Sequence, residues 1–344
     1  MHPRCIVTIN GTPVAGAFWE RLISVSITDR EGHRSDTIDL TLEDGPPHAV
    51  IPDDGDIIQC WLGYEDGIAR GFGDATGLEY MGRYKITDVD IKCLPYSLEI
   101  KGEAADMTTK LKEHKERHWD DKTIKDIVGD IAKDGGLTAQ VSEKVGAMKL
   151  PWWGQQNESG LHMLQDLADR HNALFTIKDG KLLFAERGAG QTAAGGAMPV
   201  LTVTPGMILT GTCSVSKQKR SKHKSVSAEY YDRDEGKRKR ETEQGEDDGE
   251  AAYTLRHAFS GKDEAKRAAR SRSKYLKREG DRTAVDIEGH PTAKAGRPMV
   301  YAGVRPQIDG TVYVIEEAQH KFSKSGYTTA LKAKVKDEQD GGEG

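Results

Sequence analysis

The pattern nearest to a metal site in this sequence is a pair of histidines, His114 and His118, in a strongly charged segment. At i and i+4 their side chains would share one face of a helix, where two imidazoles could bind zinc. Glu116 lies midway between them, whereas the zincin motif requires the glutamate directly after the first histidine. We therefore expect a solvated polar connection here, with no metal ion and no cofactor.

Acidic residues near the N-terminus could supply the carboxylate pair that glycoside hydrolysis requires. The candidates are Asp29, Asp36, Asp39, Glu43 and Asp44. They lie in and beside turn sequences, where Asp accepts local backbone hydrogen bonds, so roles in turns and on strand surfaces are favoured. The sequence contains no GxSxG motif, no Walker loop and no GxGxxG between strand and helix patterns. We predict no catalytic residue, no cofactor-binding residue, no metal ligand and no enzyme activity.

Two further clusters concern binding. The basic run Lys237 to Arg240 could contact phosphate, but the acidic cluster Glu246 to Asp248 adjoins it and no aromatic residue interrupts it to stack on bases. A formal net charge of -5 also argues against a dedicated nucleic-acid binder. The pair Trp152 and Trp153 is predicted to serve in packing or in an interface, since large aromatic side chains dominate both.

The four cysteines lie far apart and outside any CxxC spacing: Cys5, Cys60, Cys93 and Cys213. Cysteine in an apolar or alternating run behaves as a small core residue, so we expect reduced thiols in or near β cores. The N-terminal residues show no signal-peptide pattern, and no stretch approaches the ~20 apolar residues of a membrane span. We expect synthesis in the cytoplasm and no membrane span.

Strand patterns dominate the first 107 residues. Apolar and polar residues alternate in runs at 22–28, 37–42, 57–62, 83–89 and 97–101. Several short strands at near-regular spacing are typical of a small barrel or sandwich. The sequence therefore predicts a first β-barrel-like domain over residues 1–107.

Residues 108–186 change to a mixed pattern that predicts an α/β domain with two helices and a β-hairpin. One helix carries an apolar stripe at i, i+3, i+4 and i+7, capped by Asp121 or Thr123 and ended by Gly135 and Gly136: Ile124, Ile127, Val128 and Ile131. The second has Asn157 as a plausible N-cap and a face of Leu161, Leu164, Ala168 and His171. Asp179 and Gly180 form a two-residue hairpin turn. We expect Ile127 and Ile131 to lie in the core, facing Leu161 and Leu164.

A second β-barrel-like domain is predicted over residues 200–337, after a small, flexible linker at 187–199. Within it, residues 232–250 are nearly all charge and glycine, so we expect an exposed and mobile excursion. A helix with a narrow alanine face is predicted over 262–278. Residues 338–344 are expected to be a disordered tail.

A weak internal repeat links the two β regions. Tyr84 to Val89 and Tyr313 to Ala318 share a Tyr-x-Ile-x-acid-apolar pattern, and each follows a strand led by glycine, Gly55 or Gly296. The position of the pattern near the end of each β region predicts a duplicated barrel. Residues 1–106 and 200–337 should then share a core topology.

The order of short motifs resembles a known family. Ile100 to Met107 closes the first β region, His118 to Val128 leads into the first helix, Gln156 to Arg170 covers the second, and Gly326 to Leu331 comes near the end. In this order they resemble the late control gene D proteins, the baseplate hub of contractile phage tails, which are similar to the hub part of type VI secretion spike proteins. The resemblance spans Asp29 to Leu331.

The resemblance implies an α+β, β-dominated fold: two related β-barrel-like domains flanking a small α/β domain, the phage tail hub fold. It implies a structural protein of the virion, in the tail baseplate of a phage or prophage tailocin, without catalytic residues. Three copies would form a homotrimeric ring that adapts the sixfold tail tube to the threefold tail spike protein. Its partners would be the spike, the tail tube, other baseplate proteins and a tape-measure protein, with no specific nucleic-acid binding.

Edge strands of the two β domains are expected to pair or abut across subunits, because a closed ring satisfies open edges. The channel should be polar. Two alternatives stay open: a tail-associated cell-wall hydrolase, and a type VI secretion-like spike hub, which would need an OB-fold and a β-helix that we do not expect within these residues. The sequence departs from the family at Gly160, where many relatives carry an acid, and in the length and charge of residues 232–250.

Overall fold

A computed structural model describes most of the chain. The described residues are 2–14, 18–32, 35–64, 77–104, 109–178, 180–187, 198–217, 223–232, 235–245, 249, 251–259, 261–278 and 281–336. Most of the expected linker (188–197) and the whole expected tail (338–344) lie outside them.

In its described residues, the first β half contains seven strands and one short helix. Their bounds are β1 (Pro3–Ile9), β2 (Thr12–Pro13), α1 (Phe18–Arg21), β3 (Leu22–Arg30), β4 (Thr37–Glu43), β5 (Ile57–Tyr64), β6 (Glu79–Cys93) and β7 (Tyr96–Ala104). Along β4, β5 and β7 alternate residues enter the core, because successive side chains point to opposite faces. Ile27 pairs with Ile38, and both are fully buried. The order across the sheet is β3-β4-β7-β6-β5-β1-β2.

The α/β unit follows. Its elements are a 3₁₀ turn (Thr109–Lys112), β8 (His114–Thr123), α2 (Ile124–Asp134), β9 (Thr138–Val141), α3 (Glu143–Gly146), β10 (Lys149–Ser159), α4 (Gly160–Arg170), β11 (Ala173–Lys178) and β12 (Lys181–Glu186). A capping box between Thr123 and Asp126 begins α2. Ile127 and Ile131 are fully buried in one cluster with Leu164, which confirms the predicted core helix pair, although Leu161 is only partly buried.

Two local predictions in this unit are wrong. Residues around His114 form strand β8, paired with β10, and not a polar connection, because Trp119 alternates with charged neighbours and enters the core. The N-cap of α4 is Ser159, whose hydroxyl accepts a hydrogen bond from the His162 amide at 3.1 Å. Asn157, with a φ of 49°, lies where the β8–β10 pairing is irregular and does not cap the helix.

The second β half begins with β13 (Leu201–Val203), a 3₁₀ turn (Pro205–Met207) and β14 (Ser214–Lys217). An inserted unit follows: β15 (His223–Asp232), β16 (Lys237–Gln244), β17 (Ala251–Phe259) and α5 (Lys262–Arg278). The half is completed by β18 (Asp281–Glu288), β19 (Pro298–Tyr301), β20 (Val312–Ser323) and β21 (Gly326–Val335).

Within the segment 232–250, which the sequence predicts to be an exposed excursion, residues 237–244 form a regular strand, β16, beside β15, and none of its residues is buried. Opposite charges across the pair stabilise the strand, as in Arg240 with Glu229 at 2.7 Å. The helix predicted over 262–278 is confirmed as α5, and it packs Ala265 and Ala269 over this small sheet. The sequence did not predict this strand, because its side chains make ion pairs across the sheet and do not show the apolar alternation of a strand that covers a core.

The two β halves have the same strand order. Numbered within each half and leaving out β2 and the insert, both sheets run 2-3-6-5-4-1, as β3-β4-β7-β6-β5-β1 and β14-β18-β21-β20-β19-β13. All neighbours are antiparallel except β13 and β19, which are parallel where β1 and β5 are antiparallel. The predicted shared core topology is confirmed.

The repeated motif occupies equivalent positions. Tyr84 and Tyr313 begin the fifth strand's core stretch and are each 2% exposed. One residue after Ile86, and again after Ile315, the register with the sixth strand shifts. Gly55 donates its amide to the Ile86 carbonyl at 3.1 Å, and Gly296 donates to that of Ile315 at 2.7 Å. Both glycines have positive φ, 93° and 84°, which only glycine adopts readily.

The halves are joined edge to edge. Strand 2 of the first half, β3, pairs antiparallel with strand 5 of the second, β20, so that 13 of the described strands form one continuous sheet. A single hydrophobic core runs through both halves. In the described part of the chain, no helix combines the length and apolar character needed to cross a membrane.

Candidate assembly surface

Among the described residues, the two histidines considered for metal binding do not belong to a group of three or more potential ligands. His114 and His118 lie on the exposed face of β8, and the His118 Nε2 atom is 3.3 Å from an Asp120 carboxylate oxygen. Elsewhere Glu158, His162 and Asp166 have ligand atoms within 4.8 Å of one another. Glu158 hydrogen-bonds His162 across the first turn of α4, which raises the pKa of the histidine. Glu158 and His162 are thus held beside each other by their own hydrogen bond.

Two of the five acidic residues considered for glycoside hydrolysis, Asp29 and Asp36, lie close together, with a lysine between them. Lys178 of β11 forms ion pairs with Asp29 and, at 3.1 Å, with Asp36. Asp29 also accepts a hydrogen bond from the Ala295 amide at 3.1 Å. These contacts connect the first β half, the α/β unit and the second β half. The arrangement is a structural clamp, and Lys178 was missed in the sequence because it carries no motif.

Burial sets the electrostatics of this clamp. Desolvation, followed by repulsion from Asp29, raises the pKa of Asp36 to about 6. Burial alone would lower the pKa of Lys178, but the charges of Asp29 and Asp36 outweigh it and raise that pKa. The lysine therefore stays charged between two carboxylates whose side chains are only 11% and 14% exposed.

The tryptophan pair is divided between core and surface. Trp153 is 5% exposed, and its Nε1 atom donates to the Met163 sulfur at 2.9 Å. Its neighbour Trp152 lies on the opposite face of β10 and is 54% exposed. The packing role predicted for the pair is thus confirmed for Trp153.

The candidate assembly surfaces are strand edges that are paired in one half of the protein and open in the other. In the second half, Glu317–Ser323 of β20 pairs with β21 on one side and with β3 on the other. The equivalent part of the first half, Asp88–Cys93 of β6, pairs with β7 alone among the described strands. In the same described set, β14 has β18 as its single neighbour. The chain thus pairs strand 2 of the first half, β3, with strand 5 of the second half, β20. The other strand 2, β14, and the second part of the other strand 5, β6, each keep one edge without a partner among the described strands.

Exposed apolar side chains mark the open strand-5 edge. Ile91 is 52% exposed, whereas its equivalent, His320, is fully buried. Tyr96, on the facing strand, is 39% exposed, against 5% for its equivalent Tyr327. The β6–β7 hairpin therefore projects from the body, while the β20–β21 hairpin is covered by the other half.

The four cysteines differ in burial. Cys5 and Cys60 are fully buried, with their sulfur atoms 3.9 Å apart across β1 and β5, as predicted for core thiols. Cys213 is partly buried against the core. The prediction is wrong for Cys93, which is exposed because it lies near the tip of the projecting hairpin.

Comparisons with known proteins support the architecture. A family model described as phage tail baseplate hub (GPD) matches residues 67–326. The chain is similar to the probable baseplate hub protein of Escherichia phage 186, with 28% identity over 98% of this chain and 94% of that protein.

Solved structures share the fold. A tail protein from Neisseria meningitidis MC58 matches with a TM-score of 0.71 and 13% identity, over 99% of this chain and 98% of that one. The Escherichia coli c3393 protein, described as a component of the type VI secretion system, matches with a TM-score of 0.55 and 13% identity. That match covers 96% of this chain and 77% of the other.

Proposed function

This chain belongs to the phage tail baseplate hub (GPD) family, and on that basis we propose that three copies of it close into a ring. It is a structural hub protein of phage tail baseplates. The ring adapts a sixfold tail tube to a threefold spike and works through assembly, without a catalytic step.

The proposal is supported by the pairing of β3 with β20 inside the chain, called the internal joint below. The contact between β3 and β20 joins two equivalent folds through unlike edges, strand 2 of one to strand 5 of the other. Such a heterologous contact leaves one unlike edge open at each end, and its repetition generates a closed ring or an open helix. With two equivalent folds in each chain, a ring of three chains contains six such units. A trimer of this kind has pseudo-sixfold symmetry.

The two ends of the sheet differ in a way that suits such an adaptor. At one end both halves have tight turns between strands 5 and 6, at Leu94–Pro95 and at Lys324–Ser325. At the other end the first half leads into the α/β unit after Ala104, and the second carries the inserted unit between β14 and β18. In a trimer the first end would repeat six times and the second three times.

We assign the end with the tight turns to the tail tube and the opposite end to the spike. Contacts between the two additions support a single threefold surface there. The Ser271 hydroxyl donates to the Asp169 carbonyl oxygen at 2.8 Å, and Arg170 lies 3.6 Å from Glu264. These contacts join α4 of the α/β unit to α5 of the insert.

Native mass spectrometry of the full chain tests the proposal. The expected species has three times the 37.8 kDa chain mass. A protein that stays monomeric at high concentration, both alone and with its cognate spike, would refute the ring. A clear zone on a peptidoglycan zymogram would refute the purely structural role and favour a hydrolase.

A further inference from the structure

We infer that the open edge of β14 in one copy pairs antiparallel with the open edge of β6 in the next, in a register that places Cys213 opposite Cys93. The inference rests on the proposed ring, and it adds the residues that close it. The occupant of each open edge is a second copy of this chain.

The register follows from the repeat, beginning with strands 5 and 6. Ile86 pairs with Gly102 in the first half, and Ile315 pairs with Ala333 in the second. Both strands continue without a further shift after the common irregularity, so each residue from Asp88 onward has a fixed equivalent. Ile91 corresponds to His320, and Cys93 corresponds to Phe322.

Strands 2 and 3 give the other side of the joint. Gly102 pairs with Ile38, which pairs with Ile27. In the second half Ala333 pairs with Thr283, which pairs with Val215. Ile27 is therefore equivalent to Val215 in the sheet.

The same register extends two residues before β14. Val25 lies two residues before Ile27, so its equivalent is Cys213. The Thr212 hydroxyl contacts the backbone of Asp286 at 3.1 and 3.2 Å, as the β14–β18 register predicts for that position. Cys213 thus remains aligned with the sheet although it precedes the strand.

The register of the β3–β20 pairing gives the register of the proposed pairing between copies. Within the chain Ile27 pairs with His320, and Val25 pairs with Phe322. Val215 is equivalent to Ile27 and Ile91 to His320, so Val215 of one copy lies opposite Ile91 of the next. By the same equivalence, Cys213 lies opposite Cys93.

The side chains at these positions suit the pairing. Ile91 and Cys93 are exposed, while their equivalents His320 and Phe322 are buried by the internal joint, so a second copy would cover an apolar surface. Cys213 is partly buried and packs against the core, which places its thiol on the core side. Because Phe322 also points into the core, its equivalent Cys93 would approach that thiol from the same side.

The open strand-5 edge is acidic, like the strand-5 edge that pairs inside the chain. The open edge of β6 carries Asp88 and Asp90, whose side chains are about half exposed. In the internal joint the equivalent of Asp88, Glu317, pairs with Arg30 at 3.1 Å. Asp88 and Glu317 thus place an acidic side chain at the same position of strand 5 in both halves.

Cross-linking of the native thiols tests the register. Directly opposite residues in antiparallel strands have Cα atoms about 4.5–5.5 Å apart, within the range that a disulfide requires. Diamide accepts two electrons and two protons from two thiols, leaving one disulfide and the reduced hydrazine. The full chain treated with diamide should run as a covalent trimer on a denaturing, non-reducing gel, and dithiothreitol should return it to monomer.

Single variants identify the sulfur atoms. Cys93→Ser and Cys213→Ser should each abolish the covalent trimer, while native mass spectrometry still shows the noncovalent one. A Cys93→Ser and Cys213→Ser mixture assembled together should give only covalent dimers. Cross-links that persist without Cys213 and stop at dimers would mean contact between two Cys93 residues, which would overturn the inference.

A second pair checks the register away from the native thiols. In the Cys93→Ser, Cys213→Ser background, Val215→Cys with Ile91→Cys should restore the covalent trimer. The matched control, Val215→Cys with Lys92→Cys, places the second thiol on the opposite face and should cross-link at least tenfold less. A noncovalent trimer without any of these links would refute the register and leave the ring intact. Absence of the trimer itself would refute the ring.

Discussion

Replacement of Lys178 by methionine tests whether the ion-pair clamp joins the three parts of the molecule. The variant keeps the side-chain volume but leaves the Asp29 and Asp36 carboxylates without their ammonium partner. Removing one member of a buried ion pair costs about 3–5 kcal/mol. Because the Lys178 side chain is 31% exposed, we expect a loss near the lower end, about 3 kcal/mol at pH 7.5.

The loss should depend on pH in a defined direction. The pKa of Asp36 is about 6 in the folded protein, above its ordinary value of 3.8. A carboxyl with a raised folded-state pKa binds its proton more tightly when folded, so it favours folding most at low pH. That contribution is lost as the pH rises from about 4 through 6. Without the ammonium group the pKa of Asp36 should rise further, and the deficit of the variant should therefore be smaller at pH 5 than at pH 7.5.

Urea denaturation followed by tryptophan fluorescence measures both effects. Lys144→Met is the matched control, since Lys144 lies in the same α/β unit, is 76% exposed and pairs with Glu186 at the surface. It should change the free energy of unfolding by less than about 0.5 kcal/mol. Asp36→Asn added to Lys178→Met should recover part of the loss. A Lys178→Met protein as stable as the control, or with a larger deficit at pH 5, would refute the clamp.

Three other perturbations have defined outcomes. Ile127→Ala or Ile131→Ala should each lower the free energy of unfolding by about 2–5 kcal/mol in urea titrations, through lost burial and the cavity left behind; tolerance of both together would contradict the core assignment. Replacement of residues 237–244 by a Gly/Ser linker should lower the melting temperature and the soluble yield, because β15 loses its antiparallel neighbour; an unchanged melting curve would mean that β16 is dispensable. Ile91→Asp should leave the monomer's melting temperature unchanged, since the side chain is 52% exposed, yet shift the sedimentation equilibrium from trimer to monomer; a trimer as stable as wild type would count against the proposed joint.

The sequence predicted those parts of the fold that repeat at short range. The stripe of α2, the β11–β12 hairpin and helix α5 all follow from side-chain periodicity or turn chemistry within about twenty residues. The duplication was also visible in the sequence, because Tyr84 and Tyr313 belong to the same short pattern and occupy equivalent buried positions. Local pattern determines which face of an element is buried, and the chain carries that information directly.

Tertiary structure decided which elements meet. Strand β16 could not be predicted from its own charged sequence, since it forms by pairing with β15, where Asp232 and Glu229 lie beside its basic residues. Lys178 carries no motif, and it became significant only when folding brought it to Asp29, 149 residues away. The joint between β3 and β20, and with it the identity of the two open edges, depends on pairing between residues almost three hundred positions apart. Strand periodicity is the same whichever neighbour a strand takes, so sequence alone specifies the strands and only the assembled sheet specifies their partners.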